Sequence, residues 1–226
     1  MDKLKLVALQ LSDLHIRPFE NILEPMIDNI NHEKVDVVVI TGDITHDDSE
    51  ESFNIAKESI SKINHRVIVM PGDFGKYSVD DFGSRFKNLS INGYTLDFLD
   101  TSYIGHRHAE GWYSSLKNDT EQYDWLMKSL SGQDYHIVFS HHPFEVFPSG
   151  VANEFLTDKV RAFYSGHLHT PLRYQYNYSN PSKFKSCFST VPMDFHGTIG
   201  YAIIVVNSAD EVFTIPRIVK NKIKVW

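Results

Sequence analysis

The 226-residue sequence contains one cysteine, Cys187, so no disulfide can form within the chain. It has no apolar run near the ~20 residues that cross a bilayer. Its first residues, Met1-Asp-Lys-Leu-Lys-Leu6, enter a strand pattern at once and lack a basic-then-apolar export segment. No membrane partner is expected, and the chain reads as cytosolic. An excess of positive charge is also missing. The formal net charge is −7, against a polynucleotide held by neutralising its phosphates. Small anionic substrates stay open if metal ions supply the positive charge. There is no repeat, linker or low-complexity tract, and the length suits a single domain over residues 1–226.

Apolar, mostly β-branched runs are plentiful, and several end on groups that bind metals. Val37-Val-Val-Ile40 reads as a buried strand, after which Gly42 allows a sharp turn into Asp43. Leu6 to Leu11 leads to Asp13 and His15, and Val67 to Met70 leads to Pro71-Gly72-Asp73. His136 to Phe139 leads to His141 and His142, and Ala162 to Tyr164 leads to Gly166, His167 and His169. Open α/β sheets collect ligands at the carboxyl ends of their strands. Carboxylates and imidazoles delivered to one rim by separate strands make a metal site.

Helices are expected over Glu20–Glu33, from the Asp47-Asp48-Ser49 cap to Ile63, and over Asp119–Leu130. A weaker helix is expected over Asn153–Arg161, and Asp73–Leu89 reads as loop with a short helix. From Leu172 onward the pattern is that of antiparallel strands and turns.

Asp13-Leu-His15 sets a carboxylate and an imidazole two residues apart, and His167-Leu-His169 repeats that spacing with two imidazoles. Asp43 has two oxygens, enough to bridge a pair of ions ~3.5–4 Å apart, with Asp73 and His141 completing the ligands of the second ion. A mixed oxygen and nitrogen set suits Mn²⁺ first, with Fe or Zn²⁺ next.

In their order, Asp13-Leu-His15, Gly42-Asp43, Pro71-Gly72-Asp73, His141-His-Pro143 and Gly166-His-Leu-His169 resemble the calcineurin-like metallophosphoesterase superfamily. Leu99-Asp-Thr101, Gly111, Leu116, Gln122, Trp125 and Leu126 are similar to the central segment of its cyclic-nucleotide-phosphodiesterase-like branch. The resemblance implies a four-layer αββα sandwich with mixed sheets and flanking helices. It implies two divalent ions, one held by Asp13, His15, Asp43 and His169, the other by Asp43, Asp73, His141 and His167. It further implies hydrolysis of a small phosphodiester, such as a cyclic nucleotide, by hydroxide lying between the ions. A phosphomonoesterase acting on nucleotides or another small phosphate is the runner-up, followed by a metal-binding interaction module with impaired catalysis. Dimers occur among such proteins, but no stretch marks an interface.

Gly72-Asp73-Phe74-Gly75 departs from the family's usual Gly-Asn-His-Asp. Asp73 adds a third carboxylate, and Phe74 removes a histidine that steadies or protonates the leaving group. Losing a placed acid costs ~10²–10⁴ in rate. His142, His46, His106 and His108 are the substitutes available. His106 and His108 are preferred because Ser102–Gly111 should be a loop near the rim. His46 reads as the solvated start of a helix, and His142 as a support for the ligands or a turn residue.

Overall fold

The computed structural model describes residues 4–74, 78–101, 120–143, 157–167, 169, 173–176, 185–188 and 198–220. One sheet has the order β11-β10-β1-β2-β3, from β1 (Leu6–Leu11), β2 (Val37–Ile40), β3 (Val67–Val69), β10 (Thr198–Val206) and β11 (Val212–Lys220). β1, β2 and β3 run parallel, and β10 is antiparallel to both its neighbours. The second sheet has the order β4-β5-β6-β7-β9-β8, from β4 (Lys87–Ile91), β5 (Tyr94–Leu99), β6 (Tyr135–Ser140), β7 (Val160–Ser165), β8 (Arg173–Tyr176) and β9 (Lys185–Phe188). Its middle strands β5, β6, β7 and β9 are parallel.

Three separate apolar clusters show how the layers stack. Side chains alternate along a strand, so each sheet has two faces to cover. Leu9, Leu11, Val38 and Ile40 face outward, onto Ile27 and Ile30 of α1 (Ile27–His32) and Ala56 and Ile60 of α2 (Glu50–Ser61). Leu6, Ala8, Val37 and Val39 face the other way and meet Leu96, Phe98, Ile137, Phe139 and Tyr164 of the second sheet. Leu99, Val138 and Phe163 cover that sheet's far side together with Leu126 of α4 (Thr120–Leu130). Helix, sheet, sheet and helix follow in that order, the expected four-layer sandwich of two mixed sheets with flanking helices. Among the described residues, no helix is long and apolar enough to cross a membrane.

Several expectations need correction. The helix expected over Glu20–Glu33 shrinks to a 3-10 turn at Glu24–Met26 and the six residues of α1, because Pro25 cannot donate to a longer helical ladder. The helix expected to reach Arg161 does not, since 157–159 form a turn and Val160 pairs with His136 as β7 begins. Its earlier part, 151–156, lies outside the described residues. The last third is not wholly antiparallel, because β9 lies parallel to β7. The short helix expected within Asp73–Leu89 is α3 (Val79–Phe82), but β4 already begins at Lys87 inside that stretch and runs to Ile91, folded back on β5 through Asn92 and Gly93 with φ of 49° and 82°.

Candidate metal centre

The parallel strands of both sheets end at one rim, and cross-sheet hydrogen bonds lock their exits together. Gln10 at the end of β1 donates to the Ser165 carbonyl (3.1 Å) and to Thr41 Oγ1 (3.1 Å). The backbone N–H of Asp13 donates to the Gly42 carbonyl, that of His15 to the Asp43 carbonyl, and that of Gly166 to the His141 carbonyl. Close approach there requires small residues. Gly42 has φ +95°, and a Cβ on it would stand 2.6 Å from His141 Nδ1. A Cβ on Gly72 would overlap the backbone nitrogen and Oδ1 of Asp43, and one on Gly166 would overlap Ser12 Oγ.

The rim gathers two groups whose ligand atoms lie within 4.8 Å of one another: Asp13, His15, Asp43 and His169 in one, and Asp73, His141 and His167 in the other. These are the seven residues the sequence singled out. Asp43 lies between the groups. Its Oδ2 is 3.6 Å from His15 Nε2, and its Oδ1 is 3.4 Å from His141 Nε2. In the first group His15 Nε2 faces His169 Nε2 at 3.1 Å, and His169 Nε2 is 3.5 Å from Asp13 Oδ1. In the second, Asp73 Oδ2 is 3.0 Å from His167 Nδ1 and 3.7 Å from His141 Nε2.

Five of the seven have left-handed backbone: Asp13 (φ 51°), His15 (43°), Asp43 (50°), His167 (71°) and His169 (47°). Aspartate and histidine tolerate this region better than most residues. A conformation costing of order 1–3 kcal/mol persists only where its surroundings fix it, as at ligand clamps.

The donor set fits metal ions. His141 Nδ1 donates to the Thr41 carbonyl at 2.8 Å, which leaves Nε2 to face the carboxylates. That Nε2 is buried and has no hydrogen-bond partner among the described residues. A ring nitrogen held in one tautomer by its opposite nitrogen is the usual arrangement of a ligating imidazole. Burial pushes the His141 pKa down, but Asp43, Asp13 and Asp73 carry it up to about 9. Burial pushes the Asp43 carboxyl up, and His141 and the Phe74 N–H outweigh it and hold the group below its ordinary range. Asp73 is likewise lowered, as hydrogen bonds from His142 and His167 overcome burial. His15 is pushed down by burial despite Asp43 and Asp13.

Residues 6–171 match the sequence profile of the calcineurin-like phosphoesterases. The chain belongs to that family. Calcineurin-like phosphoesterases use divalent metal ions, and the two groups at the rim could hold them. The chain is 26% identical over 175 residues to the glycerophosphodiester phosphodiesterase GpdQ of Enterobacter lignolyticus (strain SCF1), covering 61% of this chain and 57% of that one. It is 30% identical over 143 residues to a "probable cyclic nucleotide phosphodiesterase" of Vesicomyosocius okutanii subsp. Calyptogena okutanii (strain HA), covering 60% of each. The matches thus span less than two thirds of either relative. Among solved structures, the 5'-nucleotidase of Candida albicans SC5314 superposes with a TM-score of 0.56 at 12% identity, over 94% of this chain and 51% of that one. That likeness concerns the fold alone.

The remaining histidines divide. His142 lies behind Asp73, with Nε2 3.2 Å from Asp73 Oδ1 and Nδ1 2.9 Å from Thr101 Oγ1. Burial holds its pKa down. Asp100, next to Thr101, has its backbone N–H and carbonyl both bonded by the buried Gln122 side chain, which ties together two members of the central segment read from the sequence, while Gly111 and Leu116 lie outside the described residues. His106 and His108 lie outside the described residues. His46 is not merely the start of a helix, since α2 begins at Glu50. Its ring packs against His15 (5.6 Å between centroids) and lies nearly parallel to Phe74 (6.4 Å, 14°). Arg17 reaches it, Nη2 to Nε2, at 2.9 Å. Apart from its place two residues after His15, nothing in the sequence distinguishes Arg17.

Proposed function

We propose that the chain is a dinuclear metal-dependent hydrolase of small phosphodiesters, with residues 1–226 forming its single domain. Asp13, His15, Asp43 and His169 would hold one divalent ion, and Asp43, Asp73, His141 and His167 the other, with Mn²⁺ the first expectation and Fe or Zn²⁺ next. One observation carries this reading: the two oxygens of Asp43 face imidazoles of different groups. A pair of divalent ions supplies electrophilic assistance to the phosphoryl group and makes water nucleophilic near neutral pH. The chain's own part is placement. Thr41 fixes the His141 tautomer, the His167 N–H donates to both oxygens of Asp13 (3.0 and 3.1 Å), and the Phe74 N–H donates to Asp43 Oδ1 (2.8 Å). His142 buttresses Asp73. The preference for diesters, cyclic nucleotides among them, draws on the printed activities of the two relatives and on Phe74 in place of a proton donor. Turnover of bis-p-nitrophenyl phosphate beside p-nitrophenyl phosphate with added Mn²⁺ tests it. Faster cleavage of the diester is expected, and faster cleavage of the monoester would reverse the assignment.

A second reading, a metal-binding module with impaired catalysis, rests on Phe74, which is 45% exposed where the family usually has a histidine. Asp73→Asn combined with Phe74→His restores the usual motif. An inert natural chain and an active double variant would favour the module.

A further inference from the structure

Past Asp13 and Asp43 the exits of β1 and β2 keep pairing. The Ile16 N–H donates to the Ile44 carbonyl (3.0 Å), the His46 N–H donates to the Ile16 carbonyl (3.2 Å), and Ile16 bridges Thr45 in parallel. This extension sets Arg17 and His46 side by side at the edge of the first group. The guanidinium is always protonated and can only donate. In the 2.9 Å contact the guanidinium is therefore the donor and His46 Nε2 the acceptor. The guanidinium has capacity left. Its Nε is buried without a hydrogen-bond partner among the described residues, and Glu20 is 3.8 Å from Nη1, beyond hydrogen-bond length.

Charge points the same way. The three carboxylates of Asp13, Asp43 and Asp73 against two divalent ions would leave one net positive charge at the rim, where an anion is drawn. Arg17, paired at 3.8 Å with Glu20, brings hydrogen-bond donors to that edge without a further net charge. We infer that Arg17 is a substrate-contacting residue that grips a non-bridging oxygen of the phosphoryl group beside the Asp13–His15–Asp43–His169 group, and that His46 is the positioning residue that aims its guanidinium. This rests on the phosphoesterase reading above and adds to it the residue that recognises the anion.

Calorimetric titration of inorganic phosphate into Mn²⁺-loaded protein tests the inference, with steady-state kinetics on bis-p-nitrophenyl phosphate alongside. Arg17→Met should weaken phosphate binding by about tenfold or more and raise KM in parallel, the scale of a charge-assisted hydrogen bond, with bound metal unchanged. Arg17→Lys should recover part of the loss, because it keeps the charge but not the planar fork. His46→Leu should shift phosphate affinity in the same direction by less, and should add nothing in the Arg17→Met background, since it acts through Arg17. Phosphate affinity of Arg17→Met within twofold of the natural chain overturns the inference, as does loss of metal from that variant. If the natural chain hydrolyses diesters and Arg17→Met matches it, only the inference falls. If the natural chain is inert but binds phosphate through Arg17, the anion site stands and the hydrolase reading falls.

Discussion

Asp43 Oδ1 lies 3.4 Å from Nε2 of His141, a buried nitrogen that has no hydrogen-bond partner among the described residues. The other oxygen of the same carboxylate is turned to His15. Removing this one side chain should therefore disturb both groups together. Asp43→Ala is expected to carry at most one ion per chain by elemental analysis. It should also lose most of the metal-induced rise in melting temperature, since a ligand at 100 times its Kd stabilises the native state by ~2.7 kcal/mol. Two ions retained by Asp43→Ala would contradict the shared role of this carboxylate.

Gly72 has no room for a side chain, because a Cβ would overlap the backbone nitrogen of Asp43. Gly72→Ala should destabilise the fold by ~1–3 kcal/mol, the usual cost of overpacking, and should weaken metal binding by displacing Asp43. Denaturant unfolding with and without Mn²⁺ measures both effects. A variant as stable as the natural chain would show that the β3 exit can move aside freely.

A buried polar cluster between β5, β6 and α4 should matter for stability and not for metal. His136 Nδ1 is 2.6 Å from Asp97 Oδ2, and Ser129 donates to Asp97 Oδ1 at 2.5 Å. Both members of the His136–Asp97 pair are almost fully buried. Breaking a buried pair by removing one partner costs ~3–5 kcal/mol, because the other is left uncompensated. Asp97→Ala should show a loss of that size in denaturant unfolding while binding the same amount of metal.

The alternating faces of β1, β2 and β5 were legible because their apolar side chains all find cover, so the hydrophobic pattern and the packing agree. β4 was missed because Lys87-Asn-Leu-Ser-Ile91 has only a weak strand pattern of its own. Its strand state comes from pairing with β5, and the signal that could have revealed it was the turn pair Asn92-Gly93. The metal-ligand candidates were legible by residue type and by their place after apolar runs. The left-handed backbone at Asp13, His15, Asp43, His167 and His169 was not, since it is imposed by hydrogen bonds between loops distant in sequence. Arg17 escaped for the same reason, and His46 was legible only as a substitute acid, not as the partner of Arg17. Their contact exists only because the two loops pair.

Stability should fall on the alkaline side for a reason remote from the metal groups. Burial raises the pKa of Tyr94, and its hydrogen bond to Asp210 raises it further; Tyr201 is raised in the same way by burial and Glu33. A group whose pKa is higher in the folded state binds its proton more tightly there. Its stabilisation is complete below the unfolded value of about 10 and is lost as pH rises above it. In the presence of chelator, Tyr94→Phe and Tyr201→Phe should each flatten the decline in melting temperature above about pH 10. An unchanged slope in both variants would refute the assignment.

The most direct test is anomalous scattering from crystals grown with Mn²⁺, at the manganese edge. Two peaks are predicted, one among Asp13, His15, Asp43 and His169, the other among Asp43, Asp73, His141 and His167, with Asp43 touching both. A rim without anomalous signal after soaking in manganese, iron or zinc, or a single ion with Asp43 turned away from it, would contradict the account.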